Sequence, residues 1–257
     1  MYIEGVDSIE NTILNTQVES PETENTFEMK KFSDIDSQEK QKLRDKIQES
    51  GGTMQIWVHS HFEEETPAFF EDLNNEYKEK RAQAIQTGLS SPLPNLALIE
   101  TAITKGQAID TSETQKAVER YKKYYGGIAK TGTMYFMETY SNDPTPIGTE
   151  SPWDSLANEL KEVGVEKIIV RGKNLSIRRV STEDVGKLKD EEKKYIETTP
   201  EITDSEAKVA FVPQNCVGET MVNLKSRGFE ILTTDLTYPR KMGEIPVLKQ
   251  MEKQIDR

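Results

Sequence analysis

The only cysteine of the chain lies where a strand pattern meets a helix pattern. Cys216 follows the apolar run "VAFVP" at 209–213 and stands at the start of a helical pattern. The first turn of a helix offers free amide groups and partial positive charge, which stabilise a thiolate. Cys216 is therefore a candidate nucleophile, and the amides of Asn215, Val217 and Gly218 are candidates to bind an oxyanion. The alternative is a small residue buried in the core, where cysteine is common.

The two histidines of the chain stand together. His59 and His61 close the strand pattern "TMQIWVHSHF" at 53–62. Strand alternation places both side chains on one face, and imidazole is a base near neutral pH. Two imidazoles with a nearby carboxylate also form a weak zinc pattern, but no motif for a third ligand follows, so no metal is predicted. A structural, hydrogen-bonded pair is the remaining alternative.

Two carboxylates end predicted strands. Glu138 lies near the end of "GTMYFMETY" at 132–140, and Asp235 near the end of "FEILTTDL" at 229–236. Open α/β sheets bind ligands beyond the carboxyl ends of their strands, so Glu138 is a further candidate site residue. An exposed strand end is the alternative for both. The chain contains neither of the glycine-rich spacings that bind nucleotide phosphates, and no cofactor is predicted.

Strand and helix patterns alternate along most of the chain. This alternation predicts a three-layer α/β/α domain with a mostly parallel, Rossmann-like sheet. Segment 96–103 fits a strand or a helix, and 165–180 holds two strand patterns that fit a hairpin. The other strands are predicted at 53–62, 132–140, 207–212 and 229–236. Helices are predicted at 33–50 (with Ser33 or Asp34 as cap), 66–85, 112–125 (ended by Gly126 and Gly127), 151–163, 217–227 and from about 243 to the end.

Composition divides the chain into unequal parts. Residues 1–50 are polar and acidic, which predicts an N-terminal arm that is partly disordered and carries one short helix. Residues 51–257 then form a single domain, interrupted by a highly charged insertion at about 173–206.

Charge and hydropathy restrict the partners. The net charge of −12 argues against nucleic-acid binding, which depends on clustered Lys and Arg. No apolar stretch approaches the roughly 20 residues of a membrane helix, and the start lacks the pattern of a signal peptide. A single cysteine suits a reducing compartment. These features predict a soluble cytoplasmic protein that binds no nucleic acid and no membrane and takes a small-molecule substrate.

A longer pattern surrounds Cys216. Segments 155–172 and 209–236 read as a helix, an apolar strand, a turn into "CV..T", a helix that ends in glycine, and a strand that ends near Asp. The residues of this pattern are Cys216, Val217, Thr220, Gly228 and Asp235. It resembles the isochorismatase-like cysteine hydrolases. The resemblance implies an α/β fold and hydrolysis of a small amide or other C–N bond by Cys216.

The resemblance is partial. The family uses an Asp at the end of its first strand and a Lys after a middle strand, where this chain offers His59 and Glu138. The first hypothesis is a variant hydrolase in which His59 or His61 takes the proton of Cys216. The alternative is a non-catalytic α/β binding or interaction module with a structural cysteine.

Overall fold

A six-stranded parallel sheet forms the centre of the molecule. The computed structural model describes residues 26–59, 83, 85–172 and 176–233. The sheet strands are Thr26–Lys31 (β1), Thr53–Val58 (β2), Asn95–Glu100 (β3), Thr131–Thr139 (β4), Lys167–Gly172 (β5) and Glu230–Thr233 (β9). Their spatial order is β1-β4-β3-β2-β5-β9. The parallel sheet is confirmed.

Helices cover both faces of this sheet. The helices are Ser37–Glu49 (α1), Thr111–Ala129 (α2), Pro152–Glu162 (α3), Asp190–Glu197 (α4) and Asn215–Ser226 (α5). Buried residues of α1, α3 and α5 share a core with Leu96 and Leu98 of β3. Buried residues of α2 share a second core with Ala97 and Ile99 of the same strand. We call these surfaces the α5 face and the α2 face. The three-layer α/β/α architecture is confirmed.

The strand order reverses around β2 within the sheet. The chain runs from β2 to β3 and β4 in one direction, and then returns to add β5 and β9 on the other side of β2. In doubly wound sheets, the crevice between the two strands at such a reversal is where ligands bind. The carboxyl ends of β2 and β5, at Val58 and Gly172, mark this switch point.

The domain begins earlier than the predicted boundary at residue 51. β1 pairs with β4 from Thr26 to Lys31, and Phe32 and Leu43 are buried in the core of the α5 face. The predicted short helix is present, but its cap is Asp36, whose side chain accepts a hydrogen bond from the Glu39 amide. Residues 26–50 are therefore part of the α/β domain, and residues 1–25 lie outside the described residues.

A second, smaller sheet separates β5 from α5. Ser176–Ser181 (β6), Thr203–Asp204 (β7) and Val209–Gln214 (β8) form an antiparallel sheet in the order β6-β8-β7. The predicted hairpin is wrong, because β5 and β6 belong to different sheets. The strand before Cys216 is likewise not part of the parallel sheet. This sheet and α4 have their own core, so the excursion extends past the predicted end at 206 to Gln214.

The remaining elements follow the patterns closely. The ambiguous segment 96–103 forms β3, and α3 begins at Pro152 as expected. The helix predicted at 112–125 continues through its two glycines to Ala129. The predicted helix from residue 243 and most of the one at 66–85 lie outside the described residues. Within the described ranges, no helix combines the length and the apolar character that crossing a bilayer requires.

Candidate functional site

The first turn of α5 lies against the switch point. A side chain on Gly172 would overlap Val58 O and lie within 2.7 Å of Val217 Cγ2, so β5, β2 and α5 meet at this glycine. Val217 follows Cys216, and Val58 precedes His59. The packing of these neighbours brings the predicted nucleophile and the predicted base to the same end of the sheet.

The predicted oxyanion residues build this turn. Asn215 has a left-handed backbone (φ 63°), which turns the chain from β8 into α5. Gly218 lies against the backbone of Pro213, because a methyl group in its place would be 2.5 Å from the Pro213 carbonyl carbon. The Val217 side chain is fully buried. Asn215, Val217 and Gly218 thus each have a packing or backbone role. The proposed binding of an oxyanion by their amides stays a prediction.

His59 is buried at the end of β2. It also has a left-handed backbone (φ 46°), and its amide donates to Leu98 O at 3.1 Å. The ring Nε2 lies 2.7 Å from the hydroxyl oxygen of Thr139 at the end of β4. Only 3% of His59 is exposed. A non-glycine residue in this conformation is uncommon, and such residues concentrate at functional sites.

The Glu100 carboxylate lies near His59 and acts through its charge on Cys216. Its Oε2 lies 3.9 Å from His59 Nδ1, and its Oε1 accepts a hydrogen bond of 2.7 Å from the Asn142 amide. The same carboxylate raises the pKa of the Cys216 thiol through its charge. Glu100 ends β3 with the same alternation as Leu96 and Leu98, which places it on the α5 face.

The surroundings of Cys216 disfavour a thiolate. Burial, followed by the negative charges of Glu100, Glu219 and Asp143, raises the pKa of the thiol to about 11. The residue's own amide acts in the opposite direction and is a smaller effect than burial or the charges of Glu100 and Glu219. The stabilisation expected from the helix N-terminus is therefore outweighed by desolvation and by like charge.

The carboxylates around the thiol also act on one another. Burial, and then the charge of Asp143, raise the pKa of Glu219, while Lys189 and Lys105 lower it. A carboxylate whose pKa is raised by burial and by a neighbouring negative charge favours the arrival of a cation. We call the following residues the switch-point cluster: His59, Glu100, Thr139, Asp143, Cys216 and Glu219.

Glu138 is not part of this cluster. Because side chains alternate along a strand, Glu138 lies on the same side of β4 as Met134 and Phe136, which pack on the α2 face. Cys216 packs on the α5 face. Its Oε1 forms an ion pair of 3.0 Å with Lys31 Nζ at the edge of the sheet. Its neighbour Thr139 is the residue of this strand end that lies on the α5 face, and the predicted role of Glu138 stays a prediction. His61 and Asp235 lie outside the described residues.

Four members of the cluster were missed in the sequence: Glu100, Thr139, Asp143 and Glu219. Glu100 lies inside the segment 96–103, which fits a strand or a helix, so the sequence did not indicate that a strand ends at this residue. Thr139 is next to a carboxylate that seemed the better candidate. A consistent alternation along 131–139, with Tyr135 and Met137 on one face, would have selected Thr139.

The cluster has no arrangement suited to a metal ion. In the part of the chain that the structure describes, no group of three or more His, Cys, Asp or Glu side chains is placed to hold one. The prediction that the protein binds no metal comes from the sequence alone. The structure does not test it, because His61 lies outside the described residues.

Comparison with protein-family models, curated proteins and solved structures gives no match to this chain. The resemblance to isochorismatase-like hydrolases stays a prediction.

Proposed function

We propose that the protein binds a small molecule with a positively charged nitrogen at the switch-point cluster, and that Cys216 lines this site without acting as a nucleophile. The observation that carries the proposal is the set of three carboxylates, Glu100, Asp143 and Glu219, that act on one thiol at the switch point. A cation among these groups would be attracted by their negative charges, and partial burial strengthens the attraction relative to bulk water.

The thiol itself supports a role in lining the site. With a pKa of about 11, roughly one Cys216 in ten thousand is a thiolate at pH 7. The thiolate is the nucleophilic form, so this environment works against covalent catalysis. A buried, uncharged thiol is instead a suitable apolar wall for the carbon skeleton of a small amine.

Calorimetric titration tests the proposal. The probes are putrescine and spermidine, with 1,4-butanediol and succinate as neutral and anionic comparisons. We expect heat of binding for the amines only. Glu100→Gln should weaken amine binding at least tenfold, because a charged contact in a partly buried site contributes more than about 1.4 kcal/mol.

Glu49→Gln is the matched control for this titration. Glu49 is exposed at the end of α1, shortly before β2 begins. It therefore lies near the amino ends of the strands, whereas Glu100 lies at the carboxyl end of β3. The variant has the same change in net charge as Glu100→Gln. The proposal is rejected if neither amine binds, or if both substitutions weaken binding equally, since the effect would then come from overall charge.

The cysteine-dependent hydrolase is a second candidate. The observation that favours it is that one carboxylate, Glu100, lies 3.9 Å from His59 Nδ1 and also acts through its charge on the Cys216 thiol. In this reaction Cys216 Sγ would attack the carbonyl carbon of an amide, His59 would take the thiol proton and then transfer it to the leaving amine, and water would release the acid. Cys216→Ala separates the candidates, because it should abolish hydrolysis but leave amine binding within about threefold of the unsubstituted protein.

A further inference from the structure

We infer that Thr139 is a positioning residue whose hydroxyl fixes the His59 ring with a proton on Nε2 and with Nδ1 turned toward Glu100. The inference adds detail to the proposed binding site. The role of this arrangement in ligand binding rests on the proposed function. The arrangement of the hydrogen bonds stands by itself and is tested without a ligand.

The direction of the hydrogen bonds follows from counting protons. Thr139 Oγ1 lies 2.7 Å from His59 Nε2 and 3.1 Å from the carbonyl oxygen of Ile99. A hydroxyl has one proton, and a carbonyl oxygen can only accept. When the hydroxyl donates to Ile99 O, its oxygen faces Nε2 as an acceptor, and Nε2 must donate. The short distance to Nε2 is consistent with a well-formed bond.

Thr139 is itself held in place. It is fully buried, and its carbonyl oxygen accepts hydrogen bonds from the amide of Thr101 at 3.2 Å and from the hydroxyl of Thr101 at 2.8 Å. It also forms a bridge with Pro146 in the loop after β4. A hydroxyl on such a rigid support orients the imidazole, as outer-shell hydrogen bonds do for functional histidines elsewhere.

The tautomer determines which ring nitrogen faces Glu100 without a proton. In the neutral ring with its proton on Nε2, Nδ1 is an acceptor, and it lies 3.9 Å from the Glu100 carboxylate. Thr139 would set this arrangement through its hydrogen bond to the other ring nitrogen.

Nitrogen NMR of the imidazole tests the inference. Two-bond proton–nitrogen spectra of ¹⁵N-histidine-labelled protein at pH 8 distinguish a protonated from an unprotonated ring nitrogen, and His61→Gln assigns the signals of His59. We expect Nε2 to be the protonated nitrogen in the unsubstituted protein and in Thr139→Ser. Thr139→Val should move both His59 nitrogen signals toward the averaged positions of two exchanging tautomers. Thr139→Ala, which removes the hydroxyl without adding a branched group, provides the same comparison should the valine variant fail to fold.

Two results would overturn the inference. One is a proton on Nδ1 of His59 in the unsubstituted protein. The other is an unchanged His59 spectrum in the folded variants that lack the hydroxyl. Because no ligand is added, these results stay separate from the amine titration, which tests the proposed function.

Discussion

Single residues at the switch point show that location and reactivity are separate properties. Cys216 has the position that a nucleophile requires, at the first turn of a helix beside the sheet edge. Its pKa depends on a different set of facts, which are its burial and the neighbouring carboxylates. The partial charge of a helix end contributes about 0.3–1 kcal/mol, whereas each pKa unit corresponds to 1.36 kcal/mol. The rise to about 11 is the larger effect.

The rate at which iodoacetamide alkylates Cys216 measures this effect. At pH 8 we expect the folded protein to react about two hundredfold more slowly than a free thiol, because its thiolate fraction is smaller by roughly that factor. The rate should continue to rise with pH until about pH 11. The protein unfolded in urea is the control and should titrate near 8.5. A folded midpoint at or below 8.5 would contradict the assigned environment and favour the hydrolase.

The sequence identified two of the six residues of the switch-point cluster. Cys216 and His59 have types and positions that stand out in any single sequence. Glu100 and Thr139 do not, because their importance depends on β3 and β4 lying beside β2 in the sheet. The choice between Glu138 and Thr139 depended on strand alternation at a strand end, where a shift of one residue exchanges the faces.

At the scale of elements, the join between β8 and α5 fixes Cys216. The helix begins immediately after the strand, and Gly218 allows the first turn to lie against Pro213. Such a close approach leaves no room for a side chain, so this glycine is a packing requirement.

Substitution of Gly218 tests this requirement. Gly218→Ala should lower the free energy of unfolding by about 2–3 kcal/mol, because the added methyl group forces the backbones apart. Gly127→Ala in α2 is the control. No atom lies within 4 Å of its added methyl group, and alanine favours a helix over glycine by about 0.8–1 kcal/mol. Urea denaturation should therefore show opposite signs for the two variants. An equal effect in both would mean that the join tolerates a side chain.

The sequence located most elements but did not assign them to sheets. β8 alternates poorly, since Val209, Ala210 and Val212 are all buried, so its pattern fits a parallel or an antiparallel sheet equally well. β1 was missed because four of its six residues are charged or polar, as is common for an edge strand. Pairing between distant segments decides both cases, and local patterns do not contain it.

At the scale of the whole molecule, the segment at 26–50 is integral to the domain. Phe32 is 2% exposed and makes an edge-to-face contact of 6.0 Å with the ring of Tyr135. Arg44 of α1 bonds to the carbonyl oxygen and the side chain of Glu162 at the end of α3. The segment therefore joins an edge of the sheet to the layer of helices that includes α5.

Replacement of Phe32 tests this integration. Phe32→Ala should lower the free energy of unfolding by about 3–5 kcal/mol, which is typical of a buried phenylalanine. The measurement is urea denaturation followed by both fluorescence and circular dichroism. Ile109→Ala is the comparison, because Ile109 is 55% exposed and should change stability by less than about 0.5 kcal/mol. A loss that small for Phe32→Ala would instead support a loosely docked arm.

The pairing of β1 with β4 has a consequence for synthesis of the chain. Thr26 pairs with Thr131, so among the described strands β1 has its one partner about a hundred residues later in the chain. At translation rates of about 5–20 residues per second, β1 waits roughly 5–20 seconds for that partner. During this interval its unpaired edge is open to other chains. β1 carries two lysines and a glutamate, which are residue types that discourage association along an unpaired strand edge.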